Sequence, residues 1–194
     1  MIRILVGILA LTISVRNSSA QSLMMKSNLL YAGATLTPNL GAEIRLGDGS
    51  TLDIKSAYNP WNKKVKTSDH KKFVHWMTQA ELRYWPCRSF AGHFLGIHLI
   101  ASQYDINQMN IDFIMGHDSE KYRFRGYGFG AGISYGYQWL LGKNWSIEAN
   151  VGIGSALLNL NRYEYDQYGD SEYPERKTYW GPTRFGINLM YFIK

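Results

Sequence analysis

The amino-acid sequence predicts an all-β protein, an eight-stranded antiparallel up-and-down transmembrane β-barrel, and three observations carry that expectation. From residue 26 onward, apolar residues alternate with small or polar ones at a period of two, the spacing that sends side chains to opposite faces of a strand. Beyond residue 20 no apolar run approaches the ~20 residues of a membrane helix. The connections are short at one end and long at the other, as in outer-membrane barrels, whose short turns are periplasmic.

Composition agrees with this class. A chain of 194 residues suits one domain. Charged residues make up only 19%, aromatics reach 14%, and Tyr and Gly are abundant at 14 and 19, a mixture that favours strands. Cys87 is the only cysteine, so no intrachain disulfide forms. The formal charge of +6 falls by two without Arg3 and Arg16, and such mild basicity gives no argument for a nucleic-acid partner. No cofactor is expected.

The first element is an export signal rather than part of the fold. Arg3 supplies a positive start, Ile4 to Val15 a short apolar stretch, and Ser18-Ser19-Ala20 a small-residue cleavage site. The expectation is a cleaved signal peptide at 1–20 and an outer-membrane barrel domain at 21–194. No Cys follows the cleavage site, so this is not a lipoprotein.

The strands follow in order. A first strand is expected near Ser27 to Leu36, joined by a short Thr37-Pro38-Asn39 connection to one in which Leu40, Ala42, Ile44 and Leu46 oppose Gly41, Glu43 and Arg45. After the turn at Gly47 to Ser50, Leu52, Ile54 and Tyr58 oppose Asp53 and Lys55. Trp76, Ala80, Leu82 and Tyr84 then oppose Gln79, Glu81 and Arg83, and after a tight turn at Pro86 to Ser89, Leu95, Ile97 and Leu99 oppose Phe94, Gly96 and His98. The clearest segment is Tyr122 to Leu140, with Tyr127, Phe129, Ile133, Tyr135 and Trp139 on one face and a glycine column from Gly126 to Gly136 on the other. The turn at Leu141 to Asn144 leads to a strand with Trp145, Ile147, Val151 and Ile153 against Ser146, Glu148, Asn150 and Gly152. The last strand, from Thr178, sets Phe185, Ile187, Leu189 and Tyr191 against Arg184, Gly186 and Asn188. Long polar connections are expected near Trp61 to Lys71, Asp105 to Lys121 and Asp166 to Lys177.

The serious rival is a soluble lipocalin-like barrel of similar size, with its apolar face inward. The glycine column argues against it. On a solvated face it would expose bare backbone, whereas inside a narrow barrel it makes room for side chains from opposite strands. Tyr84, Tyr135, Tyr137, Trp139, Trp145 and Tyr191 lie near strand ends on the apolar face, where a membrane girdle places amphipathic rings. Gly186, Leu189 and Tyr191 form an alternating terminal pattern like the assembly signal read by the barrel-assembly machinery, although Phe192, Ile193 and Lys194 follow the aromatic.

Several stretches are distinctive: Lys26-Ser27-Asn28-Leu29-Leu30-Tyr31, Thr37-Pro38-Asn39-Leu40-Gly41, Tyr58-Asn59-Pro60-Trp61, His93 to His98 and Tyr127 to Trp139. Together they resemble a family of uncharacterised Bacteroidetes outer-membrane proteins, a domain of unknown function, over nearly the whole mature chain. Members are often described beside fimbrial genes, so the resemblance implies adhesion or surface assembly. It transfers no catalytic residue.

Sorting by face leaves an inward set in which Glu43, Asp53, Glu81 and Glu148 meet Arg45, Lys55, Arg83 and Arg184. Unpaired charges in so tight an interior are costly, so these read as a salt-bridge network closing the lumen, with Glu148 and Arg184 placed for cross-strand contact. An ion path is the functional alternative, because ionisable groups inside membranes are candidates by default. His98 lies on the same face, near where Ser102, Ser134 and Glu148 could converge for acyl hydrolysis, but lipid-acting enzymes of this kind work at the opposite face. A satisfied interior histidine is the better reading. No paired histidine spacing points to a metal.

Lys63, Lys64, Lys66, Lys71 and Lys72 make one connection basic, suited to lipopolysaccharide phosphates. Glu164, Asp166, Asp170, Glu172 and Glu175 make another acidic, and Trp61 and Ile111 to Met115 place apolar groups among the polar ones. The function expected is a non-enzymatic barrel in outer-membrane lipid serving envelope structure, surface attachment or docking of a surface protein. The alternatives are a narrow channel and a lipid-modifying enzyme.

Overall fold

Residues that alternate at a period of two form strands here, and each strand pairs antiparallel with the next in sequence. The last returns to the first, so the sheet closes into a barrel of eight strands. The computed structural model describes residues 23–60, 72–107, 122–164 and 173–193. The strands are β1 Leu23–Asn28, β2 Asn39–Gly47, β3 Ser50–Asn59, β4 Lys72–Tyr84, β5 Gly92–Asn107, β6 Tyr122–Leu140, β7 Trp145–Glu164 and β8 Tyr173–Ile193. The expected signal peptide and the central parts of the three long connections lie outside the described residues. Among the described residues no helix is long and apolar enough to cross a membrane, which says nothing of strands.

The start of the chain differs from expectation. Leu29–Thr35 is a helix, α1, where a strand near Ser27 to Leu36 was expected. Asn28 ends β1 in an extended conformation and turns its side-chain oxygen onto the amides of Leu30 and Tyr31, at 3.0 and 3.4 Å, which caps the helix. Leu36 closes it in the left-handed region at φ 50, with its amide on the Tyr31 carbonyl. This local capping overrides the alternation. The first connection therefore runs from 29 to 38 rather than through a short Thr37-Pro38-Asn39 link, and short and long connections alternate around the whole ring.

β8 begins at Tyr173, before the expected Thr178, and pairs with β7 up to Arg162. One wall of the barrel, β5 to β8, is therefore taller than the wall formed by β1 to β3. The pairing of β7 with β8 is regular except where Gly152 faces Arg184 and Ile153 faces Pro182. Thr183 is the extra residue of that bulge, beside a proline that cannot donate to the ladder.

The turn between β4 and β5 spans 85–91, longer than the expected Pro86 to Ser89, and it folds into the barrel mouth. Trp85 and Phe90 are almost fully buried. Trp85 donates its amide to the Gly49 carbonyl at 2.8 Å and its indole N–H to Thr51 Oγ1 at 2.9 Å. Phe90 adopts a positive φ of 67, and Gly92 follows at 84, a reversal that sends the Phe90 ring inward against Met24, Met190 and Phe192. Trp85 also packs on Phe94 with centroids 4.8 Å apart.

The two faces are sorted as alternation requires. Leu82, Leu95, Ile97, Leu99, Ile133, Ile153 and Phe185 are exposed on the outside, while Glu43, Asp53, Glu81, Arg83, His98 and Glu148 are buried inside. The glycines make this interior possible. A Cβ on Gly136 would run into the Phe94 ring, one on Gly96 would sit 2.6 Å from Glu81 Oε1, and one on Gly152 would sit 2.9 Å from His98 Cε1.

Candidate functional site

The interior is layered. At the short-turn mouth lies the apolar plug of Trp85, Phe90, Phe94, Met24 and Met190. Above it lies a charge cluster. Towards the long connections, the inner face of the tall wall turns apolar again with Tyr104, Ile106, Phe124, Leu158 and Leu160.

Arg83 is the hub of the cluster. It sits on the inward face of β4, with its guanidinium 4.2 Å from the Phe94 ring centre. Nη1 donates to Glu43 Oε2 at 2.7 Å and to Glu148 Oε2 at 2.6 Å, Nη2 to Asp53 Oδ2 at 3.0 Å and Nε to Glu81 Oε2 at 2.5 Å. One side chain thus reaches all four carboxylates. Lys26 Nζ adds contacts to Glu43 at 2.6 Å, Asp53 at 3.1 Å and Glu148 at 3.5 Å. Arg184 Nη2 reaches Asp53 at 2.5 Å and Glu81 at 3.1 Å. Neutral donors take up remaining lone pairs: Thr51 on Glu43, Ser134 on Glu81, and Asn150 and Asn188 on Glu148. Buried charges persist only when paired and hydrogen-bonded in this way.

Of the residues expected in the network, Glu43, Asp53, Glu81, Glu148, Arg83 and Arg184 are brought together. Two are not. Arg45 points inward, but towards the mouth, where its guanidinium lies 5.3 Å from the Phe90 ring centre. Lys55 is buried at 4% exposure yet stands one level above the cluster, between Gly41 and Gln79 on its neighbours, with no ion pair among the described residues. The expected contact of Glu148 with Arg184 also fails. The register places Glu148 opposite Asn188 and Arg184 opposite Gly152, so four residues of strand separate their levels.

Lys26 is the member that sequence reasoning missed. It alternates with Met24 and Asn28 on the buried face of β1. The signal was there, but a first strand begun at Ser27 leaves Lys26 outside it.

His98 is fully buried and its Nε2 lies 2.9 Å from Thr183 Oγ1. The constellation with Ser102, Ser134 and Glu148 is not assembled. Ser134 is committed to Glu81, Ser102 contacts the Gly128 carbonyl at 3.5 Å, and Glu148 is held by Arg83 and two asparagines. Gly186, Leu189 and Tyr191 all lie on β8. Gly186 leaves space for Asn28, and Tyr191 packs edge-on against Trp145 at 5.0 Å. The basic residues Lys63, Lys64, Lys66 and Lys71, as well as Trp61 and Ile111 to Met115, lie outside the described residues. Asp166, Asp170 and Glu172 do too.

Above the cluster, α1 roofs a partly open cavity of about 300 Å³. Tyr31 reaches across it to Met77 Sδ at 3.8 Å, and burial pushes the Tyr31 phenol above its ordinary range.

Compared with known proteins, residues 4–193 match the model of a family described as "Protein of unknown function (DUF3575)". No curated protein and no solved structure matches the chain.

Proposed function

Since the chain belongs to the DUF3575 family, whose function is unknown, we propose its role from its own geometry: it is a non-enzymatic outer-membrane β-barrel with a closed lumen, serving envelope structure, surface attachment or partner docking. The observation that carries this reading is the inverted sorting of the two faces. A cluster of paired charges is buried inside, and a continuous apolar band is exposed outside. Water would favour the reverse, whereas lipid outside and a polar filled interior are what a small membrane barrel needs.

The aromatic residues support a bilayer fit. Tyr58, Trp76 and Tyr127 fall on one row of the ladder, through the pairs Tyr58 with Trp76, Trp76 with Gln103 and Gln103 with Tyr127. Towards the short turns, Tyr137 packs on Trp139 and His93, and Trp145 on Tyr191. From Tyr127 to Tyr137 a strand rises ~33 Å along its own axis, or ~25 Å along the membrane normal at a tilt of ~40°. That matches the apolar band of an outer-membrane barrel.

The closed lumen is supported by the Trp85 and Phe90 plug and by the pairing of all four carboxylates. On this reading the short turns face the periplasm, and the long connections present the surface that meets lipopolysaccharide or a surface protein. The resemblance to Bacteroidetes outer-membrane proteins found beside fimbrial genes favours attachment. Cell fractionation tests the reading together with gel migration before and after boiling and planar-bilayer recording. The protein should enter the outer membrane, shift on heating and give no steady conductance. Detergent-free solubility in the periplasm, or steady ion-selective openings, would overturn it.

A further inference from the structure

The inward face of β3 carries Asp53, Lys55 and Ala57 in alternation. Asp53 is consumed by the cluster, but Lys55, although only 4% exposed, has neither a hydrogen bond nor an ion pair among the described residues. Arg184 is similar on one side. Its Nη2 is held by Asp53 and Glu81, while its Nε is buried without a partner and its Nη1 has only a 3.4 Å contact with Gln79 Oε1. Both residues line the cavity beneath α1, and no carboxylate lines it with them. The Lys55 amine has no ion-pair partner among the described residues and the open edge of Arg184 faces the same cavity, so an anion there would meet two donors. The remaining lining is mixed: Leu30 and Met77 supply apolar surface, and Tyr31, Gln79 and Thr183 supply polar groups.

We propose that this cavity binds a small soluble carboxylate with a short apolar tail, its carboxylate between Lys55 and Arg184 and its tail against Leu30 and Met77. Charge-assisted pairing, bidentate at a guanidinium, is the strong form of such recognition. Size sets the limit. At ~30 Å³ of liquid volume per water-sized group, the ~300 Å³ cavity holds ~10 non-hydrogen atoms. That holds an acid such as hexanoate, whereas a full lipid chain would have to run out through the opening. The site lies above the charge cluster and below α1. It goes beyond the anchoring role and stands on lumen geometry alone, so its failure would leave the membrane reading untouched.

Calorimetric titration of hexanoate into the full chain, refolded in phospholipid nanodiscs, tests it. One saturable site is expected, with hexanol unable to compete. Lys55→Met, which removes the unpaired cation without breaking an ion pair, should weaken binding at least tenfold. Met77→Trp, which fills the cavity and keeps both cations, should abolish it. Equal hexanoate binding by the folded protein and its Lys55→Met variant, or none by the folded parent, would overturn the proposal.

Discussion

Arg83→Met removes the hub of the interior. Arg83 makes ion pairs to Glu43, Asp53, Glu81 and Glu148, all at zero side-chain exposure. Without it, Glu148 keeps Lys26 at 3.5 Å as its only cation among the described residues, and four carboxylates share Lys26 and Arg184. Removing one partner of a buried pair destabilises by ~3–5 kcal/mol, and the hub position places Arg83→Met at the upper end. Glu148→Gln is milder, about 1–3 kcal/mol, because Arg83 retains three carboxylates, and the cost that remains arises because the new amide oxygen can face either Arg83 or the two asparagines but not both. The double variant should cost less than the sum of the two, with a coupling of about 1–3 kcal/mol, as expected for groups in contact. Glu148→Gln combined with Arg184→Met should show a smaller coupling, because those residues do not touch. Urea unfolding in lipid vesicles, followed by tryptophan fluorescence, gives the four free energies of each cycle. A stability for Arg83→Met within ~1 kcal/mol of the parent, or a larger coupling to Arg184 than to Arg83, would refute the hub.

Other consequences are simpler to state. Gly132→Val should leave no heat-modifiable folded band, since its Cβ would meet the Ile153 carbonyl and lie 2.8 Å from both His98 Nε2 and Thr183 Oγ1. A folded band at parental level would contradict the close packing. Asn28→Ala should loosen α1 by ~1 kcal/mol through loss of its cap, seen as faster amide exchange at Leu30 and Tyr31 with the β5 and β6 amides unchanged. Burial raises the Tyr31 phenol above 10.0, so the folded state holds that proton more tightly than the unfolded chain. The docking of α1 should then keep its full stability below pH ~10 and lose it as pH climbs towards the raised value; tyrosinate absorbance against α1 exchange protection would show whether the two move together.

The strand pattern was legible because the two faces of each strand meet opposite environments. Tyr122 to Leu140 alternates without interruption and forms β6 with those same bounds. Where one residue decides the outcome locally, alternation misleads. Asn28 caps a helix in a segment that otherwise reads as strand. The inward charges were legible by parity, but their partners depend on register and on height along the barrel, which parity does not encode. Glu148 and Arg184 share a face and miss each other by four residues of strand, and Arg45 and Lys55 lie beyond opposite margins of the cluster. The plug was hidden for another reason: Trp85 and Phe90 belong to a turn, and nothing in a strand pattern tells that a turn folds into the barrel.

The central claim is that the outer face of this barrel meets lipid while its charged face is enclosed. Spin labels placed one at a time from Phe129 to Tyr135 on β6, in a Cys87→Ser background, test it in reconstituted membranes through collision with oxygen and with a water-soluble nickel complex. Labels at Phe129, Ala131, Ile133 and Tyr135, whose parent side chains are exposed, should collide with oxygen and be shielded from nickel. Those at the inward positions Gly130 and Ser134 should be shielded from both where the barrel still folds, and Gly132 is left unlabelled because its Cβ would meet the Ile153 carbonyl. Nickel collisions at Ile133 and Phe129 as frequent as at a flexible aqueous site would contradict the claim.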